Sequence, residues 1–255
     1  VEFVIVDGTL EITKREVTLT SATATKVYDG TALKKDAVTV SGDGFADGEG
    51  ASYAVTGTQT EVGTSDNRFT YTLNEGTKAE NYAITQVEGT LTVTALTDKV
   101  TVTITEKSGT EKYDGTEKTV EGYTVAISNE LYTEKDFTFS GDATVKGTNA
   151  GTYNMELKPE DFTNTNKNFS EVEFVIVDGT LEITKREVTL TSATATKIYD
   201  GTALTKDEVT VSGEGFATGE GASYTVTGTQ TDVGNSKNTF DYTLNDGTLA
   251  DNYVI

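Results

Sequence analysis

The chain has 255 residues, with 41 acidic against 20 basic side chains and a formal net charge of −21. That balance excludes nucleic acid as a partner, because binding a phosphate backbone needs a basic face. The absence of His and Cys removes the usual general base, the thiol nucleophile, the common zinc ligands and any disulfide framework.

Leu, Ile, Val and Phe make up only 57 residues, a low share for a folded chain. The 51 Thr and 12 Tyr join 25 Val as side chains that fit a half-buried pleated surface. The composition therefore predicts a folded, all-β chain with thin cores.

In chain order, residues 1–14 contain the longest unbroken apolar run, Phe3-Val4-Ile5-Val6, far short of the roughly 20 residues a membrane helix needs. The chain opens in mid-strand and reads as a piece of something longer. Next comes Lys26-Val27-Tyr28-Asp29-Gly30-Thr31, where Asp and Gly supply tight-turn geometry and Tyr supplies a ring to pack. A Gly-rich loop over 41–50 carries Asp43, Asp47 and Glu49. Hard oxygens on such a loop suit calcium, although the spacing misses the EF-hand pattern and a solvated acidic loop is favoured. Phe69, Tyr71 and Leu73 alternate with Arg68, Thr70 and Thr72, the period of a strand with one wet face. Turns follow at Asn74-Glu75-Gly76, and then Asn81-Tyr82 and Gly89-Thr90-Leu91-Thr92-Val93-Thr94.

The central part repeats this order loosely. Alternation marks strands at Val100-Thr101-Val102-Thr103-Ile104 and Tyr123-Thr124-Val125-Ala126-Ile127, around Lys112-Tyr113-Asp114-Gly115-Thr116. A helical turn is expected at Ser128-Asn129-Glu130-Leu131-Tyr132, where Ser or Asn can cap it. Phe137-Thr138-Phe139 alternates and belongs to the core, which leaves Tyr132 as the more exposed aromatic. Asn168-Phe169, the Asp178-Gly179 turn and Gly179-Thr180-Leu181-Glu182-Ile183-Thr184 complete the series.

Residues 172–255 then repeat residues 1–84 with 69 of 84 identical, and 1–26 are unchanged in 172–197. The motif recurs as Lys197-Ile198-Tyr199-Asp200-Gly201-Thr202, and the acidic loop as Glu214, Thr218 and Glu220, with one acid lost. The order is A-B-A. Residues 1–14 are the closing strand of a preceding repeat, 15–94 are repeat A, 95–184 a diverged repeat B, and 185–255 a second A without its last strand. The alternative frame is 1–84, 85–171 and 172–255. The first is preferred because it leaves fewer unpaired edges. The fold expected is a series of small β-sandwich-like domains, Ig-like or β-grasp-like, arranged as an extended rod.

Catalysis has no candidate. Ser lacks a His partner, no Trp platform exists, and no carboxylate pair stands out among 41 acids. No cofactor is called for, and the protein is expected not to be an enzyme. A covalent Lys–Asn crosslink would restrain a cysteine-free module as a disulfide does, with Lys26 and Asn81, or Lys112 and Asn168, as candidates, although turn and surface roles explain these residues as well.

Taken together, the Lys-x-Tyr-Asp-Gly-Thr opening, the central Gly-Thr at Gly63-Thr64 and Gly147-Thr148, the Asn-Tyr and the closing Gly-Thr-Leu-Thr-Val-Thr resemble the YDG and MBG-type repeats of bacterial surface adhesins. Repeat B departs at Lys112-Tyr113 and at Asn168-Phe169. The resemblance implies a large cell-wall-associated protein displayed outside the bacterial cell, and it carries over no binding residue. Two functions follow. The repeats are a monomeric stalk that displays binding domains, or they themselves bind host glycoproteins such as mucin or immunoglobulin through many weak copies. For the second, Tyr123, Leu131 and Tyr132 of repeat B are the candidate partner-binding residues.

Overall fold

The computed structural model describes residues 1–255. Strands make up 46% of the chain and helix 5%, the latter only as three-residue 3-10 turns, so the protein is all-β. It divides into two compact units, one of residues 1–101, 128–137 and 164–173, the other of 102–127, 138–163 and 174–255.

In the first unit, Arg15–Ser21 pairs antiparallel with Val38–Gly42 and parallel with Tyr82–Val87. The burial of Arg15–Ser21 alternates, placing Val17 and Leu19 inward. Ala51–Val55 and Phe69–Leu73 form an antiparallel pair with Tyr53 opposite Tyr71. The core between them is Val17, Leu19, Phe69 and Tyr82, with Val38, Phe45, Tyr53, Val55, Tyr71 and Ile84 packed around it. A further sheet has Gly89–Thr94 in the middle, parallel to Ala24–Val27 and antiparallel to Gly63–Asn67. Leu91 and Val93 of that middle strand are buried. Gly89 is required there, since a Cβ on it would lie 2.3 Å from the Ser21 carbonyl oxygen.

The second unit repeats this device. Thr180–Thr184 lies between Gly109–Lys112, parallel, and Gly151–Asn154, antiparallel. Tyr123–Ile127 pairs with Val100–Glu106 from Tyr123 opposite Glu106 to Ile127 opposite Val102. By alternation Glu106 occupies a core position beside Val102 and Ile104. Its buried carboxylate accepts the backbone N–H groups of Leu157, at 2.7 Å, and Gly179, at 2.6 Å. Arg186–Ser192 pairs with Val209–Gly213 and, over two residues only, with Tyr253–Val254. Ala222–Val226 pairs with Phe240–Leu244.

One local expectation needs correction. Residues 128–132 are not helical. Leu131 N–H donates to Asn129 Oδ1 at 2.9 Å and Tyr132 N–H to the Asn129 carbonyl at 3.1 Å, a side-chain-supported turn. The 3-10 turns instead precede inward aromatics, at Ala79–Asn81 before Tyr82, Glu134–Asp136 before Phe137, Pro159–Asp161 before Phe162 and Ala250–Asn252 before Tyr253. Residues 1–14 form no strand, although the identical 172–184 form two, Val172–Val177 and Thr180–Thr184. Nothing pairs with them, and a strand without a partner has no hydrogen-bonded ladder to hold it.

Glu106→Ala strands two buried N–H groups and is expected to lower stability by about 2 to 4 kcal/mol, with Glu106→Gln milder because one acceptor remains. Urea unfolding of the two variants checks this.

Candidate functional site

The recurring Tyr-Asp-Gly-Thr segment is a tight turn centred on its Asp. Asp29 Oδ1 accepts the Thr31 N–H at 2.9 Å and the Thr31 hydroxyl at 2.7 Å, while Gly30 takes φ +76°. The Lys26 ammonium reaches the same oxygen at 2.5 Å. Led by the Lys26 bond and then Thr31, these contacts hold the Asp29 carboxyl down at about 2. Asp114 and Asp200 bond Thr116 and Thr202 in the same way, and their carboxyls are likewise held below the usual range. In repeat B the lysine comes from the other side of the turn, with Lys118 Nζ 2.5 Å from Asp114 Oδ2. Lys112, directly before Tyr113, points to Glu214 instead, at 2.5 Å.

The turn presents its Tyr to the Asn-aromatic pair of the next sequence repeat, and it does so once in each unit. In the first, the Tyr28 ring meets Phe169 edge-on at 5.6 Å. The neighbouring Asn168 is buried, its Oδ1 accepting the Val62 N–H at 2.8 Å and its Nδ2 donating to Glu61. In the second, Tyr113 meets Tyr253 edge-on at 5.5 Å. Asn252 is fully buried, its Oδ1 accepting the Ala150 N–H at 2.8 Å and its Nδ2 donating to Asn149 Oδ1 at 3.0 Å. Glu220 ties the two rings together, taking the Tyr113 hydroxyl on one oxygen and the Tyr253 hydroxyl at 2.8 Å on the other. Burial first, then the Glu220 bond, pushes the Tyr113 hydroxyl up to about 12. Burial likewise raises Tyr28, helped by Glu61 and Asp136.

The expected partner-binding residues do not converge. Tyr132 is 2% exposed, against the expectation of an accessible ring. It packs edge-on against Phe169 at 5.1 Å and donates its hydroxyl to Asn164 Oδ1 at 3.0 Å. The turn at Asn129 folds its ring inward. Leu131 is half-exposed and lies over the Tyr-Asp-Gly turn, its Cδ2 2.9 Å from where a Cβ on Gly30 would stand. Tyr123 sits in a separate aromatic group, at 5.3 Å from Phe139 and 5.4 Å from Phe162. Phe137 is buried, as its alternation requires.

Two of the three acids of the Gly-rich loop hold protein donors. Asp43 accepts the Glu16 N–H at 3.0 Å, and Glu49 the Tyr82 hydroxyl at 2.5 Å. No group of three acids converges as metal ligands would. Of the residues weighed for a Lys–Asn crosslink, Lys26 bonds Asp29 and Thr31, Lys112 bonds Glu214, and Asn168 bonds Glu61 and Val62. Sequence singles out Asn168 only as a crosslink candidate, and does not single out Asn252 or the backbone partners of either residue. The signal was present, since Tyr-Asp-Gly and Asn-aromatic motifs recur together in one order.

The model of the MBG domain family matches residues 99–185, the segment that carries the Tyr113 turn, Ala150 and the Asn168-Phe169 pair. The MBG domain is a family found in surface proteins and adhesins. No curated protein and no solved structure matches the chain.

Asn252→Ala leaves the Ala150 N–H buried without an acceptor and is expected to cost about 1 to 3 kcal/mol, read by chemical unfolding. The pH dependence follows from Tyr113. Its hydroxyl titrates at 10.0 when free and about 12 when docked, so the contact contributes fully below pH 10 and loses that contribution as pH rises toward 12. Ultraviolet titration of the tyrosines checks it: Tyr113→Phe removes one late-ionising group.

Proposed function

We propose that this chain is a non-catalytic repeat region of a bacterial surface adhesin, acting as an extended stalk that displays binding domains elsewhere in the protein. The carrying observation is the twice-built contact between successive sequence repeats, Tyr28 with Asn168-Phe169 and Tyr113 with Asn252-Tyr253. A stalk needs its most repeated motif to be a joint, because length is useful only if successive repeats hold a fixed relation. The functional repeat in this reading runs from the Arg15 strand to the Thr94 end of the closing strand.

The distribution of exposed apolar side chains supports the same reading. The most exposed ones are Val1, Phe3, Val4, Ile5, Val6, Leu10 and Ile12, with Ile198 and Val233. All lie on segments whose counterparts elsewhere in the chain are more covered. The remainder are mostly valines, with Leu131, Leu249, Ile255 and the rings of Tyr199 and Tyr242, and exposed apolar side chains in such numbers are ordinary for a protein surface. A shared binding face would show one aromatic or apolar patch in every repeat. The charge of −21 keeps serial domains apart and resists aggregation.

Surface-plasmon titration of the chain over mucin, immunoglobulins and matrix proteins tests this. The stalk predicts no saturable binding. Saturable micromolar binding to one of them replaces it with repeats that bind host glycoproteins multivalently.

A further inference from the structure

The two contacts between successive repeats share one plan and differ in charge. Val62 and Ala150 hold the same place, each giving its N–H to a buried Asn of the repeat that follows. The residue before each supplies an acceptor for the amide of that Asn. Glu61 of repeat A offers a carboxylate to Asn168, whereas Asn149 of repeat B offers a neutral oxygen to Asn252 at 3.0 Å. Val27 and Lys112 also correspond, since each pairs with the last Thr of a closing strand and directly precedes the Tyr of the turn. The leading face of A is therefore apolar and acidic, and that of B is basic.

The accepting faces are charged in the opposite sense. Ser128 of B and Glu214 of the second A stand at one place, taking the N–H of Thr101 at 2.9 Å and of Glu187 at 3.0 Å. In the first A, Asp43 does the same for Glu16. Glu214 also binds the Lys112 ammonium at 2.5 Å, and Ser128 carries no charge. Glu220 receives the hydroxyls of Tyr113 and Tyr253, and Glu49 binds Tyr82 in the first A. The acid that B brings toward Tyr28 is Asp136, whose oxygens already accept from Thr133 and Asn166.

We propose that these charges decide which repeat follows which: the leading face of B fits the accepting face of A, and the leading face of A is refused there. Placed before an A repeat, Glu61 would crowd one Asn–Tyr pair together with the carboxylate of Glu49 or Glu220. Val27 would meet the acid that Lys112 neutralises. Arg186 would not relieve this, because it is bonded to the Glu214 and Gly215 carbonyls. Both A copies carry both faces: Val27 and Glu61 recur as Ile198 and Asp232, and Asp43 and Glu49 as Glu214 and Glu220. The Lys112–Glu214 attraction is worth little, since both side chains are part-exposed. Repulsion between like charges does the discriminating. The order of repeats is set in this way whether or not the chain is a stalk.

Three variant chains test it. Lys112→Val with Asn149→Glu gives B the leading face of A, and Asn149 is exposed, as Glu61 is, so the longer side chain has room. Glu214→Ser with Glu220→Gln gives the second A the accepting face of B, and Ser128 shows that serine keeps the strand N–H bond. The third chain carries all four substitutions. The Ala150 amide reports docking, because its acceptor Asn252 lies across the contact, and the amides of Thr180–Thr184 report folding. By hydrogen exchange at low salt, each rate taken relative to the unfolded variant, Ala150 in the first chain should lose at least about tenfold of its protection. Thr180–Thr184 should keep theirs, and high salt should restore most of the loss at Ala150. The chain with four substitutions should lose less than the two pairs together. Asn149→Gln, longer but neutral, should behave as wild type. The proposal is overturned by an Ala150 amide unprotected in wild type, by full protection in the first chain, or by an equal loss in Thr180–Thr184. A loss that salt leaves unchanged, losses that add, or a loss in Asn149→Gln as large as in the first chain overturn it as well.

Discussion

Two-sided pairing of the closing strand is the constraint on which the rest depends. Gly89–Thr94 and Thr180–Thr184 each pair in parallel on one edge and antiparallel on the other, so each converts two otherwise unpaired segments into a sheet. The two A copies make the point without any change of composition. Ala24–Val27 is a strand, and its counterpart 195–198 is not, with only Val27 to Ile198 differing between them. Strand character here belongs to the ladder and not to the propensity of the residues. Because Thr180–Thr184 runs almost directly into Arg186–Ser192, completing one repeat also fixes where the next begins.

The same economy explains why the Tyr-Asp-Gly-Thr and Asn-aromatic motifs persist in a repeat that has otherwise diverged. Each is half of a contact whose other half lies in a neighbour, so either half can change only with its partner. Repeat B shows how much latitude remains. Its turn keeps an ammonium beside the Asp but draws it from Lys118, which frees Lys112 for Glu214. The chemistry at the carboxylate is retained although the lysine has moved along the chain. The buried amide does a different job: Asn168 and Asn252 each offer a carbonyl oxygen to one loop N–H and an amide hydrogen to an acceptor beside it. Few side chains satisfy both at once.

Local features were the legible ones. The period-two placement of Phe69, Tyr71 and Leu73 follows from pleating and survives as buried, half-buried and half-buried positions. The turn at Asp29-Gly30 needs only its own four residues. The parallel pairings of Arg15–Ser21 with Tyr82–Val87 and of Ala24–Val27 with Gly89–Thr94 join segments about 65 residues apart, and nothing in alternation reports such a partner. Tyr132 was misread for the same reason. Its ring is covered by Phe169 and its hydroxyl by Asn164, both far along the chain, while its local sequence has the polarity of an exposed loop. The role of Asn168 and Asn252 needed the two recurring motifs to be read as one contact, and spacing along one chain cannot show that they touch.

The acidic composition takes on a second meaning beside these contacts. Glu49, Glu61, Glu106, Glu214 and Glu220 all accept hydrogen bonds from protein donors, and Asp29, Asp114 and Asp200 organise their turns. With thin apolar cores and neither cysteine nor histidine, carboxylates, amides and phenols take over much of the work of fixing geometry. Charge-assisted bonds suit this because they are directional and stronger than neutral ones. They also set where recognition of a host molecule could be added. Any such site has to use side chains that neither a core nor a joint already employs. Leu131 and Tyr132 are committed to the joint, whereas Tyr123 belongs to an aromatic group outside it. A binding face that recurs with the repeats would therefore be written in positions other than the motifs that make the repeats recognisable.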